Sequence, residues 1–264
     1  MDLQLKSKTA FISGSTQGIG FAIAKKLLEE GANVIINGRN KERVNIAVKK
    51  LTDEFPHLNI SGIAADFSKA EEVTRLIEQL PQVNILINNV GIFEQKDFAE
   101  ITDQDWYRFF EINVMSSIRL SRAILPAMLS DNDGRIIFIS SESAVKVPSN
   151  MIHYAMTKTA MVSIARGLSE LTRNSKVTVN TILGGPTYSD GVADVIGKIA
   201  ATNGQEVESF KTALFHAINP ASILQRFIDP SEIASLAVYL ASPLAIATNG
   251  AALRADGGLL QTIL

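Results

Sequence analysis

Short apolar runs alternate with longer stretches of helical period almost from end to end of the chain. Thr9–Ser13 (Thr-Ala-Phe-Ile-Ser) has the continuous apolar character of a buried strand and leads straight into glycines. Phe21–Glu30 puts Phe21, Ala24, Leu27 and Leu28 on one face and stops at Gly31, which predicts an amphipathic helix with its terminator. Further strands are predicted over Asn33–Asn37, Asn59–Ala65, Val83–Asn88, Arg135–Ser140 and Lys176–Leu183, with helices over Lys41–Glu54 and Ala70–Leu80. A long helical region is expected around Gln104–Leu129, another over Ile152–Arg173, and a third over Ser231–Ala241 with Pro230 as its start signal. Ala251–Arg254 reads as a last short strand before Asp256-Gly257-Gly258, and Gly184–Leu224 as irregular.

Continuously apolar strands separated by helices imply a parallel sheet covered on both faces. The predicted fold class is therefore α/β, a Rossmann-type doubly wound sheet of about seven strands. No repeat or linker-like tract divides the chain, so a single domain over 1–264 is expected, with a substrate-binding segment at about 184–224.

Composition narrows the function classes. Hydrophobic residues make up 46% and charged residues 20%, which suits a large core. The net charge of −2 gives no global attraction to nucleic acid or an anionic membrane. No apolar run approaches the ~18–20 residues that span a bilayer, and the opening Met-Asp-Leu-Gln-Leu-Lys has no signal-peptide core. The chain has no cysteine, which removes disulfides, thiolate metal sites and cysteine nucleophiles. His57, His153 and His216 have no metal-ligand spacing, so no metal is expected, and a cytoplasmic location is the default.

In such a sheet, ligands bind beyond the carboxyl ends of the strands. The first strand–helix turn is Ser13-Gly14-Ser15-Thr16-Gln17-Gly18-Ile19-Gly20. Glycines let the backbone approach an anion, and the following helix offers unsatisfied N–H groups and a positive dipole end. The spacing Gly-x-x-x-Gly-x-Gly differs from the general dinucleotide fingerprint, and an ordinary glycine-rich turn is the alternative. At the end of the second predicted strand stands Asn37-Gly38-Arg39-Asn40, with an arginine where an acid would accept from the ribose of NAD. A guanidinium pairs with a 2′-phosphate, so NADP(H) is favoured over NAD(H), a solvated loop arginine being the alternative.

Tyr154 and Lys158 stand four apart on one predicted helix and so share a face. A free tyrosine titrates near ~10, and a neighbouring cation favours its phenolate, which moves it toward the range of general acid/base work. Ser141, thirteen residues earlier, adds a hydroxyl able to hold an oxygen.

With Gly14-x-x-x-Gly18-Ile19-Gly20, Asn88-Asn89-Val90-Gly91, Ser141 and Tyr154-x-x-x-Lys158 in order, the chain resembles the short-chain dehydrogenases/reductases from about Leu5 to its end. The resemblance implies Tyr154 as catalytic acid/base, Lys158 as the group that lowers its pKa and holds the nicotinamide ribose, and Ser141 as holder of the substrate oxygen. It implies Asn113 as the residue completing a proton relay through water. For the cofactor it implies Ser15, Gln17 and the rest of the first turn, Asp66 and Phe67 at the adenine, and Asn89 and Gly91 beside the cofactor. Thr187 and Ser189 align with positions at the carboxamide and pyrophosphate. Assembly as a homotetramer or dimer is implied too.

Three departures stand out: Ser13 for threonine, Val90 for alanine, and Gly184 where the family has proline before glycine. Two glycines in Gly184-Gly185-Pro186 predict a looser approach to the substrate segment. His153 is expected in a packing or surface role, since adjacent helix positions diverge by ~100°. Phe109 and Phe110 are expected in the core, and Phe210 and Phe215 in a lid.

The expected activity is NADP-dependent interconversion of a secondary alcohol and a ketone (or aldehyde), acting on a small molecule. A 3-oxoacyl-[acyl-carrier-protein] reductase is the alternative among enzymes. A catalytically silent NADP-binding sensor or scaffold is the alternative of another class.

Overall fold

The computed structural model describes residues 1–263. Its strands are β1 (Thr9–Ile12), β2 (Asn33–Gly38), β3 (Ile60–Ala64), β4 (Ile85–Asn88), β5 (Gly134–Ser141), β6 (Val177–Gly184) and β7 (Ala252–Ala255). They form one parallel sheet in the order β3-β2-β1-β4-β5-β6-β7. The order reverses between β1 and β4, and a crevice opens there beyond the carboxyl ends of the strands.

The continuous apolar runs have a geometric cause. Successive strand residues point to opposite faces. In β1, Phe11 joins one core and Ile12 the other; in β5, Ile136 and Phe138 face one way and Ile137 and Ile139 the other. The first core takes in α1 (Gly18–Glu29), α2 (Lys41–Glu54) and α9 (Pro230–Ala241), through Ile23, Leu27, Leu51, Ile233 and Ala237. The second takes in α3 (Ala70–Gln79), α5 (Ser116–Ser130) and α6 (Ile152–Glu170), through Val73, Leu76, Leu120, Met128 and Met161. Each such buried Val, Ile, Leu or Met side chain contributes about 1.5–3 kcal/mol of transfer free energy.

Two expectations are corrected. The region around Gln104–Leu129 is three pieces: α4 (Asp103–Phe109), a π-helical turn Phe110–Met115, and α5. Thr102 and Asp105 cap α4 reciprocally, which fixes its start. Gly184–Leu224 is not irregular but holds α7 (Asp190–Thr202) and α8 (Val207–Ile218). Helix α7 buries only Ile196 and Ala200 while Val195 and Ile199 face outward, although Val192, Val195, Ile196, Ile199 and Ala200 keep a helical period. Helix α8 is capped by Glu206, whose carboxylate accepts from the Glu208 and Ser209 amides, in place of a usual capping residue.

Candidate active site

The turn from β1 to α1 is built for close backbone approach. Gly14 and Gly18 both have φ +62°, in the left-handed region. A Cβ on Gly20 would fall 2.5 Å from the Gly14 carbonyl oxygen and 2.6 Å from Asn89 Nδ2. Asn89 clamps the turn by donating its amide to the carbonyls of Ser13 (3.0 Å) and Gly14 (2.8 Å). Ser13 Oγ accepts from the backbone N–H groups of Asn89 and Val90, so the serine meets the task of the family's threonine. Val90 packs on Gly14, whose Cβ would meet Val90 Cα at 3.1 Å.

Ser15 differs from its expected place. Its hydroxyl is fully buried, donating to the Ile12 carbonyl at 2.7 Å and accepting from the Asn37 amide at 2.9 Å, and its own N–H donates to the Asn37 carbonyl at 2.7 Å, so Ser15 braces the turn from within. Gln17 stands at the N-cap of α1 in extended conformation without a side-chain cap. The Gly18 N–H instead donates to Asp190 Oδ2 at 2.6 Å. Sequence reasoning missed Asp190, because nothing local connects the start of α7 to the start of α1.

A cavity of about 460 Å³ runs from this turn past Arg39, Arg43, Asp66, Phe67 and Gly91. Burial raises the Asp66 carboxyl, but hydrogen bonds from Ser68 and the charges of Lys69 and Arg39 hold it below the ordinary range. Arg43, one helical turn into α2, puts a second guanidinium on the wall beside Arg39; the spacing Arg39-x-x-x-Arg43 was the available signal. The glycine cradle at the start of α1 and the two guanidiniums fit a phosphorylated dinucleotide.

Two of the candidate acid/base residues, Lys158 and Asn113, meet at Gly91 on the cavity wall. A Cβ on Gly91 would lie 3.4 Å from Lys158 Nζ and 3.5 Å from Asn113 Oδ1. Lys158 Nζ donates to the Ile139 carbonyl at 3.0 Å, and the Lys158 carbonyl accepts from Ser140 Oγ at 2.9 Å, so β5 and α6 are pinned together there. Asn113 lies in the π-helical turn. Its Oδ1 accepts from the Ile92 amide at 2.7 Å and its Nδ2 donates to Ile92 O and Thr157 Oγ1, both at 3.0 Å. Its amide therefore fixes the Gly91–Ile92 backbone against α6.

Tyr154 and Lys158 share a face of α6, with the ammonium 5.6 Å from the ring centroid. The expected lowering of the phenol is not what the chain alone produces. Burial pushes Tyr154 well above the ordinary range and the Glu142 charge adds to this, while Ser141 draws it down. Burial lowers Lys158 to about 8, opposed by the Glu142 carboxylate. Ser141, buried at the end of β5, donates to Glu142 Oε2 at 2.6 Å.

Gly184 and Gly185 are held tightly rather than loosely. Gly184 pairs with Ser141 and Ala255 in the sheet, and a Cβ on Gly185 would lie 2.7 Å from Asp256 Cα. Beyond them, Thr187 Oγ1 donates to Gly185 O at 2.8 Å, and Ser189 closes over Gly18. Phe215 is buried against Phe227 at 5.0 Å, holding the segment down from within. Phe110 is on the surface, against expectation, whereas Phe109 is in the core and stacks edge-on with the buried His153 at 4.2 Å.

The family model for short chain dehydrogenases matches residues 8–198. The chain belongs to the short-chain dehydrogenases. Among members of that family, the oxidoreductase YvrD of Bacillus subtilis is 46% identical, with each chain covered in full. The D-beta-hydroxybutyrate dehydrogenase of Cupriavidus necator is 30% identical over 96% of this chain and 98% of its own. Among solved structures, L-sorbose reductase from Gluconobacter frateurii, complexed with NADPH and L-sorbose, superposes with a TM-score of 0.93 at 28% identity over the whole of both chains. As a short-chain dehydrogenase, the chain is an oxidoreductase acting on CH–OH groups. Among the described residues, no helix is long and apolar enough to cross a membrane.

Proposed function

We propose that this enzyme interconverts a secondary alcohol and a ketone (or aldehyde) by hydride transfer with NADP(H), favoured over NAD(H). The observation that carries the reading is the meeting of Lys158 and Asn113 at Gly91, with Tyr154 beside Lys158 on α6 and Ser141 hydrogen-bonding toward Tyr154, on a cavity walled by Arg39 and Arg43. The solved relative with NADPH and L-sorbose supports both the cofactor and a small polar carbonyl substrate.

Bound nicotinamide would supply or accept the hydride, chemistry no side chain here can perform. The chain's own residues orient and move protons. Tyr154 donates a proton to the substrate oxygen in reduction and takes it back in oxidation, while Ser141 hydrogen-bonds that oxygen. Lys158, at about 8, keeps most of its charge at neutral pH and favours the phenolate as it forms. Gly14, Gly18, Ile19 and Gly20 would cradle the diphosphate, with Gln17 at the helix start and Thr187 and Ser189 over it. Arg39 and Arg43 would pair with a 2′-phosphate, Asp66 and Phe67 would border the adenine, and Asn113 would order the water that returns protons.

One nucleotide-binding domain over 1–264, with a substrate segment at about 184–224, belongs to the same reading, as does a cytoplasmic location. A dimer or tetramer is also part of it, and light scattering gives the mass. The acyl-carrier-protein alternative is not adopted: such a reductase matches at 26% identity, well below the 46% of YvrD.

The test is a carbonyl panel including L-sorbose, followed by NADPH absorbance. Tyr154→Phe is expected to lower kcat by at least ~10³-fold while NADPH binding stays within about twofold. Turnover near the wild-type rate in that variant would sink the reading, and NADPH binding without any turnover by wild type would favour the silent sensor.

A further inference from the structure

Glu142 is a carboxylate that the proposed chemistry leaves without a task, yet it touches the centre of it. It directly follows Ser141 and opens a 3-10 turn, Glu142–Ala144, that packs against α6 and β6. Its side chain folds back so that Oε2 accepts from Ser141 Oγ at 2.6 Å and Oε1 from Ser143 Oγ at 3.3 Å. Ser141 Oγ meanwhile accepts from the Ser143 amide at 3.1 Å. β6 carries no titratable side chain. From α6, the titratable groups that face Glu142 are Tyr154 and Lys158, and both respond to its charge.

A serine hydroxyl has one hydrogen. To hold a substrate oxygen beside Tyr154, Ser141 must direct that hydrogen at the substrate. An ionised carboxylate 2.6 Å away accepts only, and claims the same hydrogen. A protonated carboxyl is different, because it can donate to a lone pair of Ser141 and leave the serine hydrogen free.

We propose that Glu142 is a positioning residue whose proton decides whether Ser141 can donate to the substrate oxygen. Burial raises the Glu142 carboxyl above its ordinary range, against the hydrogen bonds from Ser141 and Ser143, which brings its ionisation toward working pH. Oxygen holding by Ser141 is then full below that ionisation and weakens above it. The proposal rests on the oxidoreductase reading for its kinetic consequence, but not for the coupling between the groups.

The kinetic test uses NADPH with butane-2,3-dione as probe, and kcat/KM as a function of pH. Wild type is expected to lose kcat/KM as pH rises through the Glu142 ionisation. Glu142→Gln keeps the shape and can donate its amide to Ser141 at every pH, so that limb should vanish and kcat/KM above it should exceed wild type by roughly tenfold. Glu142→Asp retains a carboxylate and should retain a limb. An unchanged profile in Glu142→Gln overturns the proposal.

The second arm needs neither cofactor nor substrate, and decides the matter if butane-2,3-dione is not turned over. Tyrosinate absorbance is titrated in wild type and Glu142→Gln, each minus its Tyr154→Phe counterpart. Removing the Glu142 charge is expected to move the Tyr154 titration to lower pH. Coincident titrations refute the coupling, whereas a shifted titration upholds it whatever the turnover of butane-2,3-dione, the activity reading being judged by the carbonyl panel.

Discussion

Lys158 holds a cation where little water reaches it, and that has a measurable sign. Its folded pKa of about 8 lies below that of an unfolded lysine, so between pH 8 and about 10 the unfolded chain binds more protons. Wild type should therefore gain stability relative to Lys158→Met as pH rises through that window, by up to about 3 kcal/mol. Urea unfolding of both proteins at pH 7 and pH 9.5 checks it; parallel behaviour would mean that the lysine is not held as described. Arg39 is a separate case. Arg39→Ala is expected to raise the KM for NADPH about tenfold or more and that for NADH by less than twofold. Equal shifts in steady-state assays would exclude Arg39 as the selector. These residues were legible because chemistry fixed their spacing in the chain. Glu142 and Asp190 were not, since their meaning depends on what they touch: Glu142 turns back on its own neighbour and Asp190 reaches a distant helix.

Among the elements, the β1–α1 turn leaves no room for a side chain at Gly20. A methyl at Gly20 would press on the Gly14 carbonyl and the Asn89 amide, neither of which can withdraw without opening the clamp. Gly20→Ala is expected to lose about 2–4 kcal/mol of stability and most NADPH binding. Calorimetry and cofactor fluorescence report the two losses, and a stable variant with normal binding would contradict the geometry. The strands were readable because each interior one is buried on both faces, as β5 is along its whole length. The π-helical turn was not readable, because it lies between two helices with no glycine or proline to mark the change, and its extra residue shows only in the backbone hydrogen bonds. Helices α7 and α8 were legible, since Val192, Val195, Ile196 and Ile199 and again Val207, Phe210, Leu214 and Ile218 stand at helical spacing, and the expectation of an irregular segment overlooked them.

Across the whole molecule, the strand order could be anticipated from the alternation of elements, since a doubly wound sheet has few ways to connect them. The contact between its two halves could not. The N–H at the start of α1 is held by a carboxylate 172 residues further along the chain. In the proposed reading, a dinucleotide diphosphate entering the glycine turn would meet this carboxylate, and binding would exchange one negative group for another. Asp190→Asn removes the stronger competitor, so NADPH affinity should rise by about threefold to tenfold while the cofactor-free protein melts a few degrees lower. Fluorescence titration and thermal melts measure both, and an unchanged affinity would rule the exchange out. The affinity of the wild-type enzyme for its cofactor is, on this view, a difference between two occupants of one socket. Asp190 is the first residue of α7, so an anion that fills the socket frees the start of that helix.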